Sequence, residues 1–214
     1  MTDYGLDPRR VDPEYDRHGG FPVFEAADPG PGFERFLTAT RRLQDLAVSV
    51  NPDSATWDEA ADDVEKLVAL LEPHEAAEGV GPANRVPDLP GAGSLLMPPW
   101  HVTKFEPEGI ELSVQFSRYH VGGNKAVHGG VLPLLFDSMF GMVIHAPGRP
   151  ISRTAYLHVD YRAITPIDTP LTATGWLREA EGRKAFVNAD LRDAEGKLLA
   201  EANGLMIRLL PGQP

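Results

Sequence analysis

Cysteine is absent from the 214 residues. Its absence excludes disulfides, thiolate metal sites and a cysteine nucleophile, and leaves the redox compartment open. Long apolar runs are missing as well: no stretch approaches the ~20 consecutive apolar residues that a membrane-spanning helix needs. The N-terminus is acidic and contains prolines, without the charged-then-apolar layout of a signal peptide, so the expectation is a cytoplasmic protein. Basic residues are scarce where a nucleic-acid partner would need them. Residues 1–90 carry 19 acidic and 8 basic side chains, residues 91–214 carry 12 of each, and the net charge of −11 therefore resides in the first part. A surface of that sign argues against phosphate-backbone binding. The neutral second part leaves room for a local basic patch facing a small anion.

Several motifs also fail to complete. His74-Glu75-Ala76-Ala77-Glu78 has a glutamate where HExxH requires its second histidine, and no histidine pair has ligand spacing with a carboxylate, so no metal is expected. Gly91-Ala92-Gly93-Ser94-Leu95 does not form a GxSxG elbow, and neither GxxxxGK[ST] nor GxGxxG after a strand occurs.

The composition that remains, 42% hydrophobic and 24% charged, suits one globular domain with an appendage. The first ~30 residues are broken by Pro8, Pro13, Gly19, Gly20, Pro22, Pro29, Gly30, Pro31 and Gly32, which predicts an extended arm. Phe33, Phe36, Leu37, Thr40, Leu43, Leu46, Ala47 and Val50 then recur at helical spacing until Asn51-Pro52. A second helix is expected from Asp53, Ser54 or Thr56, with Trp57, Ala60, Ala61, Val64, Leu67, Val68 and Leu71 on one face and a stop before Pro73. The pair suggests a helical hairpin, making residues 1–90 an acidic arm and hairpin. Glycines and prolines over 79–99 mark a linker to a second domain, residues 91–214.

Beyond the linker the period changes to two. Strands are expected at Val102–Glu106, Ile110–Phe116, Ala155–Tyr161, Leu171–Arg178, Ala185–Arg192 and Leu198–Arg208, with Glu181-Gly182 and Glu195-Gly196 turning the last three into an antiparallel meander. One helix interrupts them. From Gly130 to about His145 it is apolar on nearly every face, with Pro133 tolerated in the first turn, and a helix of that kind must be enveloped. The order predicts an α+β hotdog fold: an antiparallel sheet wrapped around a central helix, with an N-terminal helical extension.

Asp137 stands in the middle of that apolar helix. A carboxylate buried without partners costs several kcal/mol, so two readings arise: a general base or nucleophile, or one member of a polar stripe with Ser138 that faces solvent. Ahead of the helix runs Gly122-Gly123-Asn124-Lys125-Ala126-Val127-His128-Gly129-Gly130. Its glycines either expose backbone N–H groups where the helix dipole favours developing negative charge, or supply positive φ for a turn. Gly129 and Asp137 are eight residues apart, about 12 Å along a helix, too far to meet at one carbonyl. If both act, the helix N-terminus of one subunit must face Asp137 of another, which predicts a homodimer with two composite sites.

Val127-His128-Gly129-Gly130, with Asp137 nine residues after His128, resembles the HGG…D motif of the PaaI-type hotdog thioesterases, in particular the THEM-type acyl-CoA hydrolases. Thr154-Ala155-Tyr156-Leu157-His158-Val159-Asp160-Tyr161-Arg162 with Pro166 is similar to that family's TAxLxVxYR…P strand, and Gly182-Arg183-Lys184 through Glu201-Ala202-Asn203-Gly204 to its last two strands. The resemblance covers residues 95–210. It implies hydrolysis of a fatty acyl-CoA to free acid and coenzyme A in a homodimer or dimer of dimers, without a cofactor, and the apolar Phe136, Met139, Phe140 and Met142 would suit a medium or long chain. Asp137 would activate water or attack the thioester, the Gly129 amide positioned by His128 would polarise its carbonyl, and Thr154 would orient the water. Gly130, Asn124, Arg162, Arg183 and Lys184 are the candidates for binding substrate, although Gly122 occupies the place where part of the family has an asparagine. A hotdog that binds acyl-CoA without hydrolysing it is the alternative.

Overall fold

A computed structural model describes residues 26–77 and 79–210. Most of the expected N-terminal arm lies outside the described residues. Two helices come first, α1 (Pro31–Ala47) and α2 (Ser54–Leu71). Pro31 opens α1 at a position where its missing N–H has no intrahelical partner to lose. Asp53 caps α2 by accepting from the Thr56 amide at 2.9 Å.

The second part holds β1 (Trp100–Glu106), β2 (Gly109–Val114), a short ribbon of β3 (Val121–Gly123) and β4 (Ala126–Val127), α3 (Val131–His145), β5 (Ser152–Tyr161), β6 (Leu171–Glu181), β7 (Lys184–Arg192) and β8 (Leu198–Arg208). The six long strands form one antiparallel sheet in the order β1-β2-β6-β7-β8-β5. The last three strands are the expected meander, with Gly182 and Gly196 at positive φ in its turns. β5 departs from simple succession. It crosses over to pair with β8, which leaves its other side as the edge of the sheet.

Alternation along the strands sends one row inward. Leu171 and Ala173 of β6, Ala185, Val187, Ala189 and Leu191 of β7, and Ala200, Ala202 and Met206 of β8 are buried in one cluster with Leu132, Leu135, Phe136, Met139, Phe140, Val143 and Ile144 of α3. Two glycines let the helix settle that closely. A Cβ on Gly204 would collide with the Phe140 ring and stand 2.6 Å from the Tyr156 carbonyl oxygen, and one on Gly175 would stand 2.9 Å from Val143 Cγ2. The helix is wrapped on one side only. Gly130, Asp137 and Gly141 are exposed on its open side, so the expectation of an enveloped helix holds for the sheet-facing positions and fails for these.

The N-terminal helices also depart from expectation. They do not close as a hairpin, since every residue of α2 is exposed. α1 instead packs on the second part, with Leu37 buried. One terminal nitrogen of Arg41 donates to the carbonyls of Pro90, Ser94 and Met97 at 3.3, 2.6 and 3.1 Å, and Asp45 accepts from the Tyr119 amide at 2.9 Å. The segment 79–99 is thus fastened to α1 and is no free linker.

Candidate active site

Asp137 projects from the open side of α3, and the Thr154 hydroxyl donates to its Oδ1 at 2.7 Å. A register shift between Thr154 and Tyr156 makes this pairing possible. Leu157 and Val159 of β5 pack on the core, so uninterrupted alternation would turn Thr154 the other way. The extra residue at Ala155 is a bulge that reverses the phase and aims the hydroxyl at the helix. Thr154 also lies 3.3 Å from Met206 Sδ. On the next residue of the helix, the Ser138 hydroxyl donates to the Leu134 carbonyl and lies 2.8 Å from Met97 Sδ, so the segment clasped by Arg41 flanks the carboxylate.

The N-terminal start of α3 is built from backbone. The His128 amide donates to the His120 carbonyl at 2.8 Å, the Val131 amide to the His128 carbonyl at 2.9 Å, and the Gly130 amide to His128 Nδ1 at 3.0 Å. With Nδ1 accepting, a neutral His128 ring carries its proton on Nε2. Among the described residues no acceptor meets the amide between them, that of Gly129. It stands at the start of the helix, where the dipole favours negative charge. Gly130 has helical φ and ψ (−68° and −16°), so positive φ is not what glycine provides here. That requirement falls earlier, at Asn124 (49°) and Lys125 (60°) in the β3–β4 turn. The tight ribbon was unexpected, because its residues read as a glycine loop.

Of the remaining candidates, Arg183 and Lys184 adjoin one another at the β6–β7 turn beside a surface depression lined by Glu181, Gly182 and Ile207. Lys184 and Arg153 both register with Ile207, so this turn is at the end of the sheet where Thr154 lies. Arg183 Nε donates to the Arg208 carbonyl at 3.0 Å. Arg162 follows Tyr161 at the opposite end of β5. Its guanidinium contacts Glu201 at 2.6 Å and Asp160 at 3.1 Å, and those carboxylates, Glu201 first, hold its pKa above the usual value. A cation so engaged is a weaker phosphate partner than its position in the sequence suggests. Asn124 is exposed in its turn, within the same loop as His128 and not beside Asp137. The structure therefore forms two groups, Asp137 with Thr154 at the middle of α3 and His128, Gly129 and Gly130 at its start. Within one chain they do not converge.

Sequence reasoning missed two contributors. Tyr161 donates its hydroxyl to the Gly129 carbonyl at 2.8 Å, and the Ala155 bulge aims Thr154. The tyrosine was visible in the strand motif, but its partner lies 32 residues away. The bulge leaves no mark in the strand's composition.

The geometry defines a hotdog domain with a carboxylate in the middle of its central helix and a glycine-rich segment at that helix's start. Comparison with known proteins shows what this domain is similar to. Residues 124–200 match the thioesterase superfamily, and a crystal structure of a thioesterase superfamily protein superposes with a TM-score of 0.74 and 27% identity over 87% of this chain and all of that one. The chain thus has a hotdog fold, and its residues 124–200 are similar to the thioesterase superfamily. Because residues 95–210 make up little more than half of the 214, a match over 87% also takes in the N-terminal helices. Acyl-coenzyme A thioesterase THEM4 of Rattus norvegicus is 34% identical over 89 residues, and that of Mus musculus 32%. The chain spans 38% of the length of these curated relatives. A Streptococcus mutans protein solved with acetyl-CoA shares the fold at a TM-score of 0.50 and 16% identity.

Proposed function

We propose that this protein hydrolyses acyl-CoA thioesters at two composite sites of a homodimer. The observation that carries the reading is the Thr154–Asp137 pair at 2.7 Å on the open side of α3, with an unoccupied backbone donor at the N-terminus of the same helix. The two are separated by about 12 Å of helix in one chain, and a second chain running antiparallel supplies the missing half. The outer edge of β5, which has no strand partner among the described residues, offers a backbone template for that association. Facing edges would place Gly129 of one protomer against Asp137 and Thr154 of its partner.

In such a site the thioester carbonyl accepts from the Gly129 amide. Asp137 takes a proton from water while the water oxygen attacks the carbonyl carbon, and negative charge develops on the carbonyl oxygen next to the amide and helix dipole. Collapse breaks the carbon–sulfur bond, and the sulfur departs with the proton held by Asp137. Thr154, donating to one carboxylate oxygen, leaves the other to the water. Attack by the carboxylate itself, giving a mixed anhydride that water then opens, uses the same two groups.

Medium or long acyl chains are favoured by the half-buried Leu134 and Met142 flanking the open stripe. Phe136, Met139 and Phe140 are wholly buried against the sheet and serve the core. Arg183 and Lys184, at the end of the sheet where Thr154 lies, would meet the coenzyme A phosphates.

Thiol release from short, long and aromatic acyl-CoAs by wild type and Asp137→Asn tests the reading. We expect turnover by wild type, a loss of about 10²–10⁴-fold on substitution, and unchanged folding. Acyl-CoA binding without turnover by wild type would instead make the protein a binding module.

A further inference from the structure

The glycine pair that begins α3 is held by a side chain with no part in the scheme above. The Gly129–Gly130 peptide is gripped on both sides: its carbonyl accepts from the Tyr161 hydroxyl at 2.8 Å, and its N–H donates to His128 Nδ1 at 3.0 Å. The preceding peptide, which bears the Gly129 N–H, has its carbonyl taken by the Val131 amide at 2.9 Å. Both planes flanking Gly129 are therefore fixed. Glycine has no Cβ to restrict its dihedrals, so two in succession would otherwise allow the peptides to rotate and carry the donor off its target. Tyr161 adds a wall to the bond. Its ring and hydroxyl stand 3.5–3.6 Å from where a Cβ on Gly129 would be, in ordinary van der Waals contact.

The strand supplies this tyrosine for a geometric reason. β5 runs from Thr154, beside Asp137, to Tyr161, beside Gly129, so one strand touches both the middle of the helix and its start. We infer that Tyr161 is a positioning residue that aims the Gly129 amide at the thioester carbonyl, acting through the Gly129–Gly130 peptide. The inference rests on the hydrolase reading above. It assigns the two ends of β5 complementary tasks, Thr154 orienting the carboxylate of one composite site and Tyr161 the oxyanion donor of the other.

A donor aimed at an oxyanion contributes more in the transition state than in the bound substrate. Tyr161→Phe removes one oxygen from a side chain that is 55% exposed in the single chain, so folding should be preserved. The expected result is a kcat lowered about tenfold with KM within about twofold. A second readout is the infrared carbonyl stretch of a bound acyl-CoA analogue with CH2 in place of sulfur. Polarisation by the amide lowers this frequency, and in Tyr161→Phe it should return toward its value in water. Equal kcat and equal frequency in the two proteins would overturn the assignment while leaving the hydrolase intact, as would a change confined to KM. Absence of turnover by wild type on every acyl-CoA would be the failure of the hydrolase reading itself and would remove the basis for the assignment.

Discussion

Thr154 reaches Asp137 because β5 carries one residue too many at Ala155. The sequence supplies the carboxylate, the hydroxyl and the glycines, and motif spacing marks them as a set. What it could not show is direction, since alternation without the bulge turns Thr154 away from the helix. His120 illustrates the same limit. Its buried ring accepts from the Ser117 amide through Nδ1 at 3.0 Å and packs edge-on against Phe116, yet nothing in its sequence surroundings distinguishes it from a surface histidine. Burial is the largest influence on its pKa and lowers it from 6.5. The folded chain therefore resists a proton that the unfolded chain accepts. Stability contributed by the neutral ring is fully present above about 6.5, the ordinary histidine value, and is lost as pH falls from there toward the lower folded value. We expect the urea midpoint of wild type to fall between pH 7.5 and 5.5 by more than that of His120→Asn. Parallel falls would remove His120 from the acid response.

Helices and strands were the most legible level, because period and breakers act locally. α1, α2, α3 and the six long strands all occur within a few residues of their expected limits. Packing between elements was less legible. An apolar stripe on α2 reads as half of a hairpin, but its Trp57, Val64, Leu67, Val68, Leu70 and Leu71 are exposed, and periodicity says nothing about what a stripe meets. α1 is fastened, besides the burial of Leu37, by polar contacts from Arg41 and Asp45, which hydrophobic patterning does not register. The Arg41 guanidinium is half-buried, with its pKa lowered by that burial, and it satisfies three carbonyls of the segment that leads into β1. Hydrogen bonds to charged groups contribute about 1.5–3 kcal/mol each, and three sharing one nitrogen contribute less than their sum. Arg41→Met should cost about 1.5–3 kcal/mol in urea unfolding and move the first site of limited proteolysis into residues 79–99. A variant as stable and resistant as wild type would show that apolar contacts around Leu37 alone hold α1.

The proposed assembly follows from arithmetic, eight residues of helix between two groups that would have to meet, and the exposed stripe of α3 beside the edge of β5 that has no strand partner among the described residues is the surface proposed for it. A composite site makes a prediction that a site within one chain cannot. Asp137→Asn spoils the carboxylate of one half-site. Gly129→Pro spoils the donor of the other, because proline has no N–H, and it does so at the second position of a turn closed by the Val131 amide, where proline is well accommodated. Each homodimer of a variant has two defective sites. A heterodimer has one site with both defects and one site that is entirely wild type, since its Gly129 and Asp137 come from the chains in which they are intact. Random reassortment makes about half of the dimers heterodimers, each with one working site, so two inactive proteins dissociated and mixed should recover about one quarter of wild-type turnover. Sites contained within single chains would recover none, and the proportion recovered should follow the heterodimer fraction measured by native mass spectrometry. Tyr161→Phe, which weakens the Gly129 half-site, should gain turnover when mixed with Asp137→Asn and gain none with Gly129→Pro.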